Sequence, residues 1–370
     1  EAPFTLVGSP LFRYELVRLG PDDYRWLCVY HHLILDGWGV ALLTRAMAEI
    51  YTALSEGREP SLEAPSYRRF IAQDRAYVAS EALETDRRYW LSHHRGLPEP
   101  LLTPRHRAWL APGNSGSATP QGEAVIGSGC AMVWLARASY ERLTALAKAH
   151  HASVFHLLIG ALYVYFTRAE QREALTLGLP VLNRTGATLR QTAGLFVGVS
   201  AVRLAFGQEL SFGALIKAIA RDLKSHYRHQ RLPISELNRA LGFERTRRAL
   251  FDVSLSFQNS DNNACLGGVE GQSVALLNGQ SQEPLTVSVR DLQERHDVRI
   301  DLVYNRAYLD AGEATALGRR LIAVLEAVLR TPEEPVRLLP IMPAEEYAQL
   351  AAWNATEAAY PRDRTVVDLF

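Results

Sequence analysis

Tyr24-Arg25-Trp26-Leu27-Cys28-Val29-Tyr30-His31-His32-Leu33-Ile34-Leu35-Asp36-Gly37-Trp38-Gly39-Val40 is the stretch on which the reading of this sequence turns. Its first part, Tyr24 to His32, is rich in aromatic and β-branched residues, the composition of a half-buried strand. Beyond Trp38 the periodicity changes. Val40, Leu43, Met47, Ile50 and Leu54 recur at spacings of three and four, which predicts a helix to about Leu54 with Gly57 as its stop. A strand that feeds directly into a helix holds its junction on a rigid support, and this junction carries two histidines and an aspartate. Histidine takes up and releases a proton near neutrality, its ordinary pKa being ~6.5. Alternation along the strand sends His31 and His32 to opposite sides, so only one reaches a given cleft. Asp36 is suited to pairing with a cation and locking the turn. Gly37 is expected to permit a backbone geometry or close approach that a side chain would forbid. Other readings of the same residues stay open: a His-His pair is often structural or merely exposed. A metal site is disfavoured, because diverging strand histidines make poor co-ligands and no third histidine lies at helical spacing.

Upstream, Leu11 to Leu19 reads as a strand joined to Tyr24–His32 through the turn Gly20-Pro21-Asp22-Asp23, making a hairpin. Downstream, amphipathic helices are expected at about Ser66–Val78 and Ser80–His94, each with a serine at the N-cap position. Gly96 to Gly122, with Pro98, Pro100, Pro104, Pro112 and Pro120, reads as a long loop. A strand at about Ala124–Leu135 is expected to close a first lobe, residues 1–136. A second lobe, 137–340, begins with a helix at Ser139–His150 and a strongly apolar helix from Ser153. Strands follow at Ala174–Leu182 and Phe196–Phe206, a helix at Ser211–Tyr227, strands at Phe251–Gln258, Leu285–Arg290 and Val298–Tyr304, and a helix at Ala311–Leu329. Residues 341–370 have linker composition. The alternation of strands and helices indicates a mixed α/β or α+β architecture in two lobes. His93-His94 and His150-His151 fall at helix ends, where the helix dipole favours them.

Composition bounds the function. The 370 residues carry 40 Lys+Arg and 40 Asp+Glu, so nothing favours nucleic acid or an anionic membrane as partner. Cys28, Cys130 and Cys265 are scattered, odd in number and without CxxC spacing, as in a reducing cytoplasm. No apolar run approaches the ~18 residues of a membrane span, and the N-terminus has no signal-peptide pattern.

Tyr30-His31-His32-Leu33-Ile34-Leu35-Asp36-Gly37-Trp38-Gly39 resembles the HHxxxDG motif of nonribosomal peptide synthetase condensation domains. In the same order, Tyr67-Arg68-Arg69-Phe70 resembles that family's YxxF helix motif, Ala193-Gly194-Leu195-Phe196-Val197-Gly198-Val199 its GxFVN segment, His229-Gln230-Arg231-Leu232-Pro233 its HQxxP segment, and Phe251-Asp252-Val253-Ser254 its FDV run. Trp353-Asn354-Ala355-Thr356, Tyr360-Pro361 and Val367-Asp368-Leu369-Phe370 resemble the lead into an adenylation domain.

The resemblance implies two chloramphenicol-acetyltransferase-like lobes in a V, with a tunnel between them. It implies amide formation between an acyl thioester and the amine of a carrier-bound aminoacyl group. No cofactor is then bound directly; substrates arrive on the phosphopantetheine of peptidyl carrier protein domains or as acyl-CoA. His32 is the expected catalytic residue, with His31 and Gly37 in the motif and Asp36 paired to Arg184. Trp38, Gly198 and Ser200 are expected at the tunnel. By the family pattern, on the order of a hundred residues of the first lobe lie upstream. Gly198 stands where the family usually has asparagine. Ser80, Asp86, Tyr89 and Trp90, with Arg228-His229-Gln230-Arg231, resemble starter and siderophore-type domains, which N-acylate a first residue. The alternatives are an elongation condensation domain, an epimerisation domain, a free-standing CoA-dependent acyltransferase and a degenerate domain that only recruits a partner. The exit segment argues against epimerisation.

Overall fold

The computed structural model describes residues 3–94, 98–105, 127–243, 249–258, 263–291, 296–359 and 362–370. Most of the loop expected at 96–122, the first residues of the strand expected from Ala124, and Tyr360-Pro361 lie outside the described residues.

The core forms around a helix that is apolar on every side. α5 (Val154–Ala169) buries Leu157, Ile159, Leu162, Tyr163, Val164 and Phe166, as a helix without a polar face must. It packs against α4 (Arg137–Ala149), α7 (Phe212–His226), α9 (Ala311–Arg330) and strand β4 (Ala174–Val181). The Ser211 hydroxyl caps α7, accepting from the Ala214 N–H at 3.3 Å, and Ser153 forms a capping box with His156 at the start of α5, whereas Tyr67 and not Ser66 stands at the N-cap of the helix Arg68–Val78. β4 belongs to a six-stranded mixed sheet with β3 (Ser128–Leu135), β5 (Gly198–Ala205), β6 (Val253–Gln258), β9 (Leu285–Arg290) and β10 (Val298–Asn305), in the order β3-β10-β9-β6-β4-β5. β6 runs parallel to both neighbours, with Val253 opposite Leu285 and Leu177; the other pairs are antiparallel.

One expectation is corrected by this topology. The strand expected at the end of a first lobe is an edge of this six-stranded sheet: Leu135 pairs with Val298 and Ser128 with Asn305. Ala131, Val133 and Leu135 face the core with α9 behind them. Chain order does not choose a strand's partner; the apolar face and a complementary edge do.

Ahead of this sheet stand the hairpin β1 (Phe12–Arg18) and β2 (Tyr24–Tyr30), with Phe12 opposite Tyr30, and the helices α1 (Gly37–Ser55), α2 (Arg68–Val78) and α3 (Glu81–His93). Ser80 occupies the N-cap position of α3, but its hydroxyl donates to the Tyr77 carbonyl at 2.7 Å and caps nothing. α1 packs against a small hairpin, β7 (Cys265–Leu266) and β8 (Val269–Glu270), where the Gly267 N–H donates to Thr52 Oγ1 at 3.0 Å. α3 packs on α8 (Ile234–Ala240) and on the 3-10 turn Tyr227–His229. The short α6 (Gly186–Arg190) follows β4. The segment expected as linker contains α10 (Ala344–Asn354), tied to α9 by Glu346 and Arg320 at 2.8 Å, and α11 (Val366–Leu369). Among the described residues no single helix is long and apolar enough to cross a membrane.

Candidate active site

β2 ends at Tyr30, two residues short of the expected end, yet the His31 N–H still donates to the Leu11 carbonyl at 2.9 Å. The chain then turns, with the Ile34 N–H donating to the His31 carbonyl at 3.1 Å. His31 and His32 therefore lie in a turn after the strand rather than on it, so strand alternation does not govern them. His31 is half-buried, its Nδ1 accepting from the Leu33 N–H at 3.1 Å and its ring edge-on to Phe4. His32 is exposed, and its imidazole makes no hydrogen bond among the described residues.

The turn is held by Asp36, the N-cap of α1 and only 2% exposed. Oδ1 accepts from the Gly39 N–H at 2.8 Å and from Arg184 Nη2 at 2.7 Å; Oδ2 accepts from the Phe196 N–H at 2.9 Å and the Val197 N–H at 3.2 Å. A buried carboxylate survives only when paired and hydrogen-bonded, and four donors satisfy this one. Both terminal nitrogens of Arg184, 6% exposed, are met by carbonyls: Nη1 donates to Leu189 and Thr192 at 2.9 and 2.6 Å, and Nη2 also to Gly194 at 3.2 Å. Its guanidinium lies 3.9 Å from the Phe196 ring centroid. Asp36 is thus met by the segment that carries both Arg184 and Phe196, far from it in sequence.

Gly37 does not carry the steric role expected of it. Among the described residues a Cβ there would have nothing within 4 Å, and its φ lies outside the left-handed region. The restrictive position is Gly39, where a Cβ would sit 2.6 Å from Leu35 Cδ1 and 3.2 Å from the Gly194 carbonyl. Of the three residues expected at the tunnel, Trp38 is 38% exposed and its indole N–H donates to the Arg190 carbonyl at 2.8 Å. Gly198 opens β5 opposite Val181, and Ser200 is buried opposite Leu179. A Cβ on Gly198 would approach Asn183 Nδ2 to 2.9 Å, so the Asn183 amide occupies the room a side chain at 198 would need. The Asn183 backbone is left-handed, with φ 49°.

A second constellation joins α3 to the turn after α7. Asp86 accepts from the Tyr77 hydroxyl at 2.7 Å and bonds His229 Nδ1 at 2.8 Å. Tyr89 stacks on His229 at 3.9 Å and its hydroxyl bonds His226 Nδ1 at 3.0 Å. Trp90 stacks on His226, and its indole N–H donates to the His229 carbonyl at 2.7 Å. His94 Nε2 donates to the Ala201 carbonyl at 2.9 Å. Burial, then the neighbouring His93, His94 and His229, depress the pKa of His226 to about 4. Burial likewise lowers that of His94. The sequence singled out Asp86, Tyr89, Trp90 and His229 but gave no reason for them to meet. It assigned His94 to a helix end and missed His226. The available signal was a pairing of pairs: His93-His94 closes one helix, and His226 and His229 flank the end of another.

Among the described residues no group of three His, Cys, Asp or Glu side chains is arranged to hold a metal ion.

The family described as Condensation domain matches residues 1–351. A linear gramicidin synthase polypeptide of Brevibacillus parabrevis is 27% identical over 376 residues, 99% of this chain and 5% of that protein. A dimodular nonribosomal peptide synthase of Bacillus subtilis (strain 168) is 26% identical over 356 residues, 96% of this chain and 14% of that protein. The chain thus spans a small fraction of the curated relatives it matches. Among solved structures, the starter condensation domain of rhizomide synthetase RzmA is similar with TM-score 0.75 and 26% identity, covering 92% of this chain and 74% of that one. A variant of that domain in complex with C8-CoA gives TM-score 0.77 at 26% identity, covering 91% and 73%.

Proposed function

The chain belongs to the condensation-domain family, and from that membership we propose that it joins an acyl thioester to the amine of a carrier-bound aminoacyl group. The acceptor nitrogen attacks the thioester carbonyl carbon; a C–N bond forms and the C–S bond breaks. The pantetheine sulfur leaves and takes the proton that the nitrogen loses. We assign His32 the reacting position, orienting the amine and relaying that proton to the departing sulfur. The observation that carries this reading is the anchored turn: an exposed imidazole four residues from a fully satisfied, buried carboxylate. Asp36 and Arg184 are structural in this reading, fixing where His32 stands. Trp38, Gly198 and Ser200 line the substrate path.

The donor we assign is of starter type, a fatty or short acyl group from acyl-CoA or an acyl carrier. Two facts support it: the 26% likeness to a starter domain solved with C8-CoA, and the meeting of Asp86, Tyr89 and Trp90 with His229. The partners in this reading are a peptidyl carrier protein domain and a downstream adenylation domain.

The test uses the intact polypeptide that carries this chain, an aminoacyl-loaded carrier, and either acyl-CoA or an acyl-carrier as donor, with mass spectrometry of the acceptor. Amide from acyl-CoA, reduced about 100- to 10,000-fold in His32→Ala, is the expected result. Amide only from a carrier-bound peptidyl donor would make this an elongation domain. Full activity in His32→Ala would remove the site assignment.

A further inference from the structure

We infer that Tyr67 is a positioning residue of the His32 site: its hydroxyl fixes the peptide unit between Leu195 and Phe196, whose N–H holds Asp36. The inference rests on the reading that the His32 turn carries the reaction.

One peptide plane links the two side chains. The Tyr67 hydroxyl donates to the Leu195 carbonyl, and the N–H of the same peptide unit, on Phe196, donates to Asp36 Oδ2 at 2.9 Å. A donor on the carbonyl end polarises an amide and strengthens the N–H at its other end. Tyr67 therefore acts on Asp36 without touching it. The plane is fixed from its other sides too. Phe196 packs against Phe70 at 4.4 Å, against the Tyr67 ring edge-on at 5.2 Å, and under the Arg184 guanidinium. The residue before this peptide unit, Gly194, has a φ of 156° that side chains rarely adopt, and a Cβ there would also lie 2.3 Å from Tyr67 Cδ2. The Gly194 carbonyl in turn accepts from the Asp36 N–H at 3.3 Å and from Arg184. Both the side chain and the backbone of Asp36 are thus held by a turn that Tyr67 sets.

Tyr67 stands at the N-cap of α2, with helical φ and no capping bond of its own, so its hydroxyl has no local task in the helix. Burial, and then the charges of Asp36 and Asp74, raise its pKa, with Arg184 opposing. The phenol stays protonated and remains a donor over the working range.

The test is Tyr67→Phe in the intact polypeptide, which keeps the ring and removes only the donated hydrogen bond. The expected result is a fall of about tenfold in kcat for amide formation, with KM for the carrier-bound acceptor within twofold. Backbone amide exchange at Phe196 accelerates, while the thermal midpoint moves by only a few degrees. Unchanged kcat in Tyr67→Phe overturns the inference, as does a rise in KM alone. So does an unfolded variant, which would make the hydroxyl an element of stability. His32→Ala runs alongside. If it keeps its activity, the site reading fails; if it is inactive while Tyr67→Phe is not, only the role of Tyr67 fails.

Discussion

Two regions tie the N-terminal segment to the six-stranded sheet and its helices, and their chemistry differs. At Asp36 the tie is a buried pair of full charges, with backbone N–H groups on one side and backbone carbonyls on the other. At α3 it is a stack of rings, Tyr89 on His229 and Trp90 on His226, with one carboxylate, Asp86, at its edge. Arginine keeps its charge at every working pH, whereas the buried His226 imidazole, its pKa lowered to about 4, takes up a proton in acid. The first tie fixes geometry; the second responds to acid. The candidate reacting histidine hangs from the first.

The largest effect is expected from breaking the charged tie. Arg184→Met leaves the Asp36 carboxylate buried without its cation, and such a loss costs about 3–5 kcal/mol. Urea unfolding measures it. A variant as stable as the parent would erase the distinction between the two ties.

Acid probes the other tie. The pKa of His226 is depressed in the fold to about 4, against ~6.5 in the unfolded chain. The unfolded state therefore binds a proton that the folded state refuses, and the stability present above pH ~6.5 is lost as pH falls towards 4. The groups facing this imidazole are Tyr89, Trp90, His93, His94 and His229, with Asp86 behind His229. The expected contribution is on the order of 3 kcal/mol at most. In His226→Phe the unfolding free energy falls less steeply between pH ~6.5 and ~4, while Arg184→Met keeps the parent's slope in that range. Equal slopes in parent and His226→Phe would assign the acid response to other groups.

The smallest contrast is between two glycines two residues apart. Gly39→Ala forces a methyl against Leu35 and the Gly194 carbonyl, at a cost of about 1–3 kcal/mol. Gly37→Ala meets nothing within 4 Å among the described residues and should change stability by no more than ~0.5 kcal/mol. Thermal melts of the two variants side by side decide it.

Most of the longer elements were legible in the residues; α6, α8, α10 and the β7–β8 hairpin were not. The apolar helix from Ser153, the helix from Ala311 and the strand Leu285–Arg290 lie where the hydrophobic pattern puts them, because this signal acts over one or two turns of chain. The junction at His31, His32 and Asp36 was legible too, as a change of period. The partner of Asp36 was not: an arginine at 184 came from family resemblance, since no local pattern says which of many arginines crosses to a given carboxylate. Gly37 was misjudged for the same kind of reason. A glycine in a motif announces that a Cβ is absent, and only the surrounding atoms say whether one would have fitted.

What the sequence determined by itself was where most of the longer strands and helices run and which junction gathers titratable groups, because hydrogen bonds within a helix and side-chain alternation along a strand are local. The tertiary structure alone decided that Ser128–Leu135 pairs with Val298–Asn305, that Tyr67 meets the carbonyl of Leu195, and that His226 and His229 lie against α3. Any backbone edge can accept a strand and any carbonyl a hydroxyl. The choice among them is made by burying one continuous core, a property of the whole chain.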